Sequence, residues 1–157
     1  RIFGSVSSSV ITKAECPVMI IPGNVELSDI STVLYATDYQ ETDPFHINRL
    51  IELLHPFSEV IRCVHVTTGS KAENKPLNLE KLKNFFDSHS PAIQISFHEW
   101  KGENVRKGLL EFAGVYEVDL MTMLLQKRNF LENLTHFSKS RNVVHDSKIP
   151  IIIMHEH

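Results

Sequence analysis

Residues 32–54 read TVLYATDYQETDPFHINRLIELL, and a strand, a turn and a helix follow one another in this stretch. TVLYA, residues 32–36, is a short run of β-branched and apolar residues that suits a strand covered on both faces. The next seven residues are polar or turn-forming apart from Tyr39. Ile47, Leu50, Ile51 and Leu54 then recur at i, i+3, i+4 and i+7, the spacing of one apolar helix face. Asp43 is expected as the N-cap of that helix and Pro44 as its first residue, where a missing N–H costs nothing.

The same alternation continues in both directions. PVMII (17–21), EVIRCVHV (59–66), AIQISF (92–97), DLMTML (119–124) and PIIIM (150–154) are further strand candidates. Helices are predicted over about Leu77–Ser88, with Leu79, Leu82 and Phe86 inward, and over about Glu103–Tyr116, with Val105, Leu109, Phe112, Ala113 and Tyr116 on one stripe. A last helix is predicted over about Ser138–Asp146. Strands alternating with helices of this length imply right-handed βαβ units: an α/β fold with a parallel sheet and helices on both faces. PGNVELSDIS (22–31) is rich in turn formers and reads as a linker, so the main domain starts near Ser31. TTGSKAENKP (67–76) reads as an exposed loop at the ligand edge of such a sheet.

Composition bounds the function. The 157 residues suffice for one packed domain and a small extra piece, and no run of ~18 apolar residues could form a membrane-spanning helix. A net charge of -3 offers no bulk attraction to a phosphate backbone, so nucleic acid is not an expected partner. Arg1–Gly4 lacks the layout of a signal peptide, and a cytoplasmic location is the expectation. Cys16 and Cys63 lie in or beside apolar runs without CxxC spacing, and buried free thiols are expected.

One internal match stands out. SVSSSVITKAECPVMII (5–21) lies over SKSRNVVHDSKIPIIIM (138–154), so that Ser5, Ser7, Val10, Pro17 and Ile20 meet Ser138, Ser140, Val143, Pro150 and Ile153. Each copy combines a serine cap, an amphipathic helix and a Pro-initiated strand. GSVSSSVITKAECPVMIIP resembles the C-terminal signature of the universal stress protein family, and VLYATDYQE, VIRCVHV, KGENV and VDLMTML resemble successive elements of a second, complete domain. The resemblance covers nearly the whole chain and implies a bacterial tandem protein. Residues 1–22 would be the remnant helix and last strand of a preceding domain, 23–30 a linker, and 31–157 a universal stress protein domain. It implies a five-stranded parallel sheet of order 3-2-1-4-5, like that of the adenine nucleotide alpha hydrolases, plus an extra N-terminal helix and strand.

The resemblance also implies where a nucleotide would bind. ATP-binding members carry G-2x-G-9x-G-[ST] after the fourth strand, where glycines let backbone amides close on phosphate at a helix N-terminus. No glycine follows Gly114; Gln126, Asn129 and Phe137 stand about where the three would lie, and Ser138 alone remains. Asp38 keeps the acidic position that lies near the nucleoside in relatives, and Lys127 and Arg128 could offer charge to an anion. Gly4 and Ser5 match the intact signature but belong to the preceding domain. No cofactor is expected; ATP or AMP bound through a rearranged loop of Lys127, Arg128 and Ser138 is the alternative. PVMIIP and PIIIMH are apolar edge strands, and residues 17–21 are expected to pair antiparallel with 150–154, within one chain or between two copies.

The nine histidines are scattered, and the closest pair, His155 and His157, is expected at a tail beyond the last strand. No metal site is expected, since structural zinc needs four convergent ligands. His65 and His98 are expected at strand ends on the ligand edge, and Trp100 is expected to pack. No nucleophile elbow, P-loop or dinucleotide fingerprint is present. The expected function is therefore a non-catalytic, stress-linked regulatory module acting through dimerisation or partner contact.

Overall fold

A computed structural model describes residues 9–11, 13–23, 25, 29–54, 60–69, 76–89, 93–125 and 149–155. The strands are β1 (Val18–Ile20), β2 (Thr32–Ala36), β3 (Val60–Thr68), β4 (Gln94–Gly102), β5 (Leu120–Leu125) and β6 (Ile151–His155). The helices are α1 (Asp43–Leu54), α2 (Pro76–His89) and α3 (Val105–Val115), with a further helical stretch around Ser9–Ile11. The helix expected over 138–146 lies outside the described residues.

The sheet runs β1-β6-β5-β2-β3-β4. Pairing from β6 through β4 is parallel throughout, which is the expected 3-2-1-4-5 order. At the outer edge β1 runs antiparallel to β6, with Val18 opposite Ile153, Met19 opposite Ile152 and Ile20 opposite Ile151. This pairing forms within one chain. At the amino ends, the Asp119 carboxylate accepts the N–H groups of Ser31 (3.0 Å) and Thr32 (2.9 Å), and so clasps the start of β2 to that of β5.

Alternation along the strands sends side chains to two cores. Val33, Tyr35, Ile61 and Cys63 meet Ile47, Leu50 and Leu54 of α1 and Leu82 and Phe86 of α2. Leu34, Val64, Val66 and Met121 meet Leu109, Phe112 and Ala113 of α3 on the opposite face. Each fully buried side chain of this size contributes about 1.5–3 kcal/mol. A smaller cluster docks Ile11 against Ile153, flanked by Val18 and Ile20.

Two features set α3 against the sheet. A Cβ on Gly108 would stand 2.6 Å from Val66 Cγ1, so only glycine lets the helix approach β3 this closely. At its other end Tyr116 N–H bonds to Phe112 O and Val118 N–H to Ala113 O, while Glu117 takes φ 49°. This is a Schellman-type ending with glutamate in the place glycine usually fills.

Several expectations are corrected. Cys16 is exposed, because it lies in a bend ahead of β1 rather than in the strand. Val105 is half exposed as the first residue of α3, and the buried stripe begins one turn later. Asn104 caps that helix, accepting from Lys107 N–H. His155 belongs to β6 and is buried, not part of a tail.

Candidate functional site

The order of the strands reverses direction at β2, which has β3 on one side and β5 on the other. In open α/β sheets the carboxyl side of such a switch point is where ligands bind. The residues leaving β2 there are Thr37, Asp38, Tyr39 and Gln40.

Asp43, expected as a cap, is instead the centre of a buried network. Its carboxylate accepts from Tyr35 Oη–H (2.8 Å) and Gln40 N–H (2.9 Å), and also from Thr37 Oγ1–H. Thr37 Oγ1 in turn accepts Tyr39 N–H at 2.8 Å. Burial is the largest influence on the Asp43 carboxyl and raises its pKa; the bonds from Thr37, Tyr35 and Gln40 and the nearby His46 act in the other direction. The period-two placing of Tyr35 and Thr37 ahead of Asp43-Pro44 was the available signal in the sequence. Such a carboxylate, with its oxygens committed to internal donors, holds the turn in shape.

Tyr39 pays a conformational cost to complete this turn. It is buried with φ 56°, a left-handed conformation that costs a non-glycine residue roughly 1–2 kcal/mol. Asn78 of α2 donates to its carbonyl at 3.0 Å, and its ring lies 4.9 Å from that of His65. Among the described residues its hydroxyl has no partner, and burial is the largest cause raising its pKa. Burial likewise pushes the Cys63 thiol up, with Asp43 adding to it.

Of the site residues expected from the sequence, Asp38 reaches this edge. Its carboxylate is exposed and stands 3.4 Å from Nδ1 of half-buried His65. His65 Nδ1–H also lies 3.0 Å from Thr37 O, which orients the ring with Nε2 as the remaining acceptor. Asp38 and His65 thus form a polar, partly open pair beside the rigid turn. Gly4, Ser5, Lys127, Arg128 and Ser138 lie outside the described residues. His98 does not join the pair: it sits mid-strand in β4 against Phe112 and Tyr116. Trp100 packs edge-on to Phe112, as expected. Among the described residues no group of three or more His, Cys, Asp or Glu is arranged to hold a metal ion, and no helix is long and apolar enough to cross a membrane.

No protein-family model matches the chain, and no curated protein matches it. Solved structures do. A universal stress protein from Archaeoglobus fulgidus is similar at a TM-score of 0.72 and 20% identity, over 98% of this chain and 55% of that one. The chain therefore spans about half the length of that protein. A universal stress protein in complex with cAMP is similar at 0.58 and 19% identity, over 83% of this chain and 100% of its own. A member of the family from Burkholderia pseudomallei is similar at 0.52 and 16% identity, over 81% and 97%. The chain has the fold of the universal stress proteins.

Proposed function

We propose that the chain is a non-catalytic regulatory module of the universal stress protein type, acting through contact between sheet edges and not through the family's glycine-rich ATP loop. The observation that carries this reading is the antiparallel β1–β6 pair, which covers the edge of the last strand with a segment resembling that strand's own helix and strand. In this reading residues 1–22 are the tail of a preceding domain, 23–30 a linker, and 31–157 the domain they cover. A similar protein nearly twice as long supports that division. The same pairing made between two copies gives a homodimer. Val10, Met19 and Ile21, all in the covering segment, are exposed and available to a partner. A bacterial, cytoplasmic setting belongs to the same reading.

The lack of any glycine after Gly114, together with the commitment of Asp43 and Thr37 to internal bonds, argues against a nucleotide device and against an enzyme. Isothermal titration with Mg-ATP and with AMP is the test, and no heat of micromolar binding is expected. A second reading, a nucleotide-binding switch, is favoured by Asp38 and His65 at the switch point and by the similar protein solved with cAMP. A micromolar dissociation constant for ATP or AMP would replace the first reading by the second.

A further inference from the structure

On the face of the sheet covered by α3, β3 carries an arginine where apolar residues would be expected. Arg62 shares that face with Val64 and Val66, which belong to the α3 core, and it lies between Leu34 of β2 and Ser96 of β4. Its guanidinium carbon stands 4.8 Å from the centre of the Tyr116 ring. The side chain is half-buried, and its Nε is fully buried with no acceptor among the described residues. No carboxylate pairs with it among the described residues. Next to it, His98 Nε2 and Ser96 Oγ share a hydrogen bond of 2.9 Å. The His98 ring is fixed between Phe112 (5.1 Å) and Tyr116 (5.4 Å).

A buried N–H of a cation is costly without an acceptor, and a ring beneath the guanidinium offsets only about 0.5–2 kcal/mol. The Tyr116 ring under the guanidinium carbon helps fix the position of a group whose planar fork suits an oxyanion. The component missing from this cluster is negative charge. We propose that Arg62, His98 and Ser96 form a binding site for a small oxyanion, a carboxylate or phosphate group, in the amino-terminal half of β3 and the first half to middle of β4, beside the C-terminal end of α3. This site is separate from the Asp38–His65 pair, because Arg62 and His65 lie three residues apart on β3 and so on opposite faces of the sheet. Arg62 supplies the charge and N–H donors, while Ser96 and His98 supply the neutral polar partners.

A second property of the cluster gives the site its own signature. The groups facing His98 are Arg62 from β3, Ser96 and Trp100 from β4, and Phe112 and Tyr116 from α3, so Arg62 is the charged one among them. Burial first and Arg62 second hold the His98 imidazole below its ordinary pKa. An anion on Arg62 removes the second cause, and binding raises the pKa of His98.

The test titrates the whole chain with sodium phosphate in one arm and sodium acetate in the other, at ionic strength held constant with chloride. Trp100, the single tryptophan, reports by fluorescence from 5.4 Å beside Phe112, and NMR follows the His98 ring. A saturable change with an upward shift of the His98 pKa is expected, and the arm that saturates at lower concentration identifies the group. Arg62→Gln should weaken binding at least tenfold, Arg62→Lys less, and Ser96→Ala severalfold. Ser96→Ala keeps the test open if Arg62→Gln does not fold. Absence of saturation in both arms overturns the proposal, and so does wild-type binding by a folded Arg62→Gln or Ser96→Ala protein.

Discussion

The turn after β2 and the β1 cover on β6 are both built from short segments, but they are held in different ways. The turn is locked from inside: Tyr35, Thr37 and Gln40 all donate to one buried carboxylate, and Asn78 ties Tyr39 to the neighbouring helix. The cover rests on three residue pairs, the docked Ile11 side chain, and one long-range bond in which His155 Nε2–H donates to Ile11 O at 2.6 Å. A network of several buried donors on one acceptor fails as a unit, whereas a three-residue edge strand can open without unfolding the sheet. On the proposed reading, the turn is architecture and the cover is the segment that exchanges with a partner.

The sharpest way to break this contrast is to remove the Asp43 carboxylate. Asp43→Ala strands the hydroxyls of Tyr35 and Thr37 and the N–H of Gln40, and should lower the stability measured by urea unfolding by about 3 kcal/mol. Next in size, Ile11→Ala should cost about 2 kcal/mol by equilibrium unfolding, with the loss of protection in hydrogen exchange confined to the β1 and β6 amides. Comparable loss of protection in β2 and β3 would show that the cover is not a separate unit.

A pH measurement sharpens the other side of the comparison. Because burial raises the Asp43 pKa, the folded state binds that proton more tightly than the unfolded state does. Stability from this group is therefore full below the ordinary carboxylate pKa and falls as pH rises through the raised value. Asp43→Asn should flatten that part of the stability profile, and an unchanged slope would contradict the assignment. The smallest effect lies outside both regions: Glu117→Gly should stabilise the chain by roughly 0.5–1 kcal/mol, seen as a higher Tm, because glycine adopts the αL conformation at the end of α3 without strain.

Periodicity alone was enough to place the strands and the three described helices, because each apolar run is bounded by turn residues. The strand order came from the family resemblance and could not have come from local pattern, since crossover order depends on long-range packing. An aspartate ahead of Pro44 reads as a cap, and only the fold reveals that Asp43 faces Tyr35 and Thr37 while Asp38 faces water. His155 was misplaced because the apolar run stops at Met154, yet β6 continues one residue further and buries the imidazole against Ile11. Arg62 gives no signal in the sequence, because it sits inside a nearly continuous apolar run. Its significance lies in Tyr116 and His98, which are distant in sequence and meet it only across α3 and β4.

The central claim is that β6 is an association edge normally covered by β1. Sedimentation velocity on the wild-type chain and on Met19→Pro/Ile20→Pro, which removes at least one inward-pointing β1 donor whichever way the N–H groups alternate, tests it most directly. The account predicts that uncovering β6 drives the variant to a higher, concentration-dependent oligomeric state while the circular dichroism of the sheet is kept. A variant that folds and sediments as the wild type does at every concentration would contradict it.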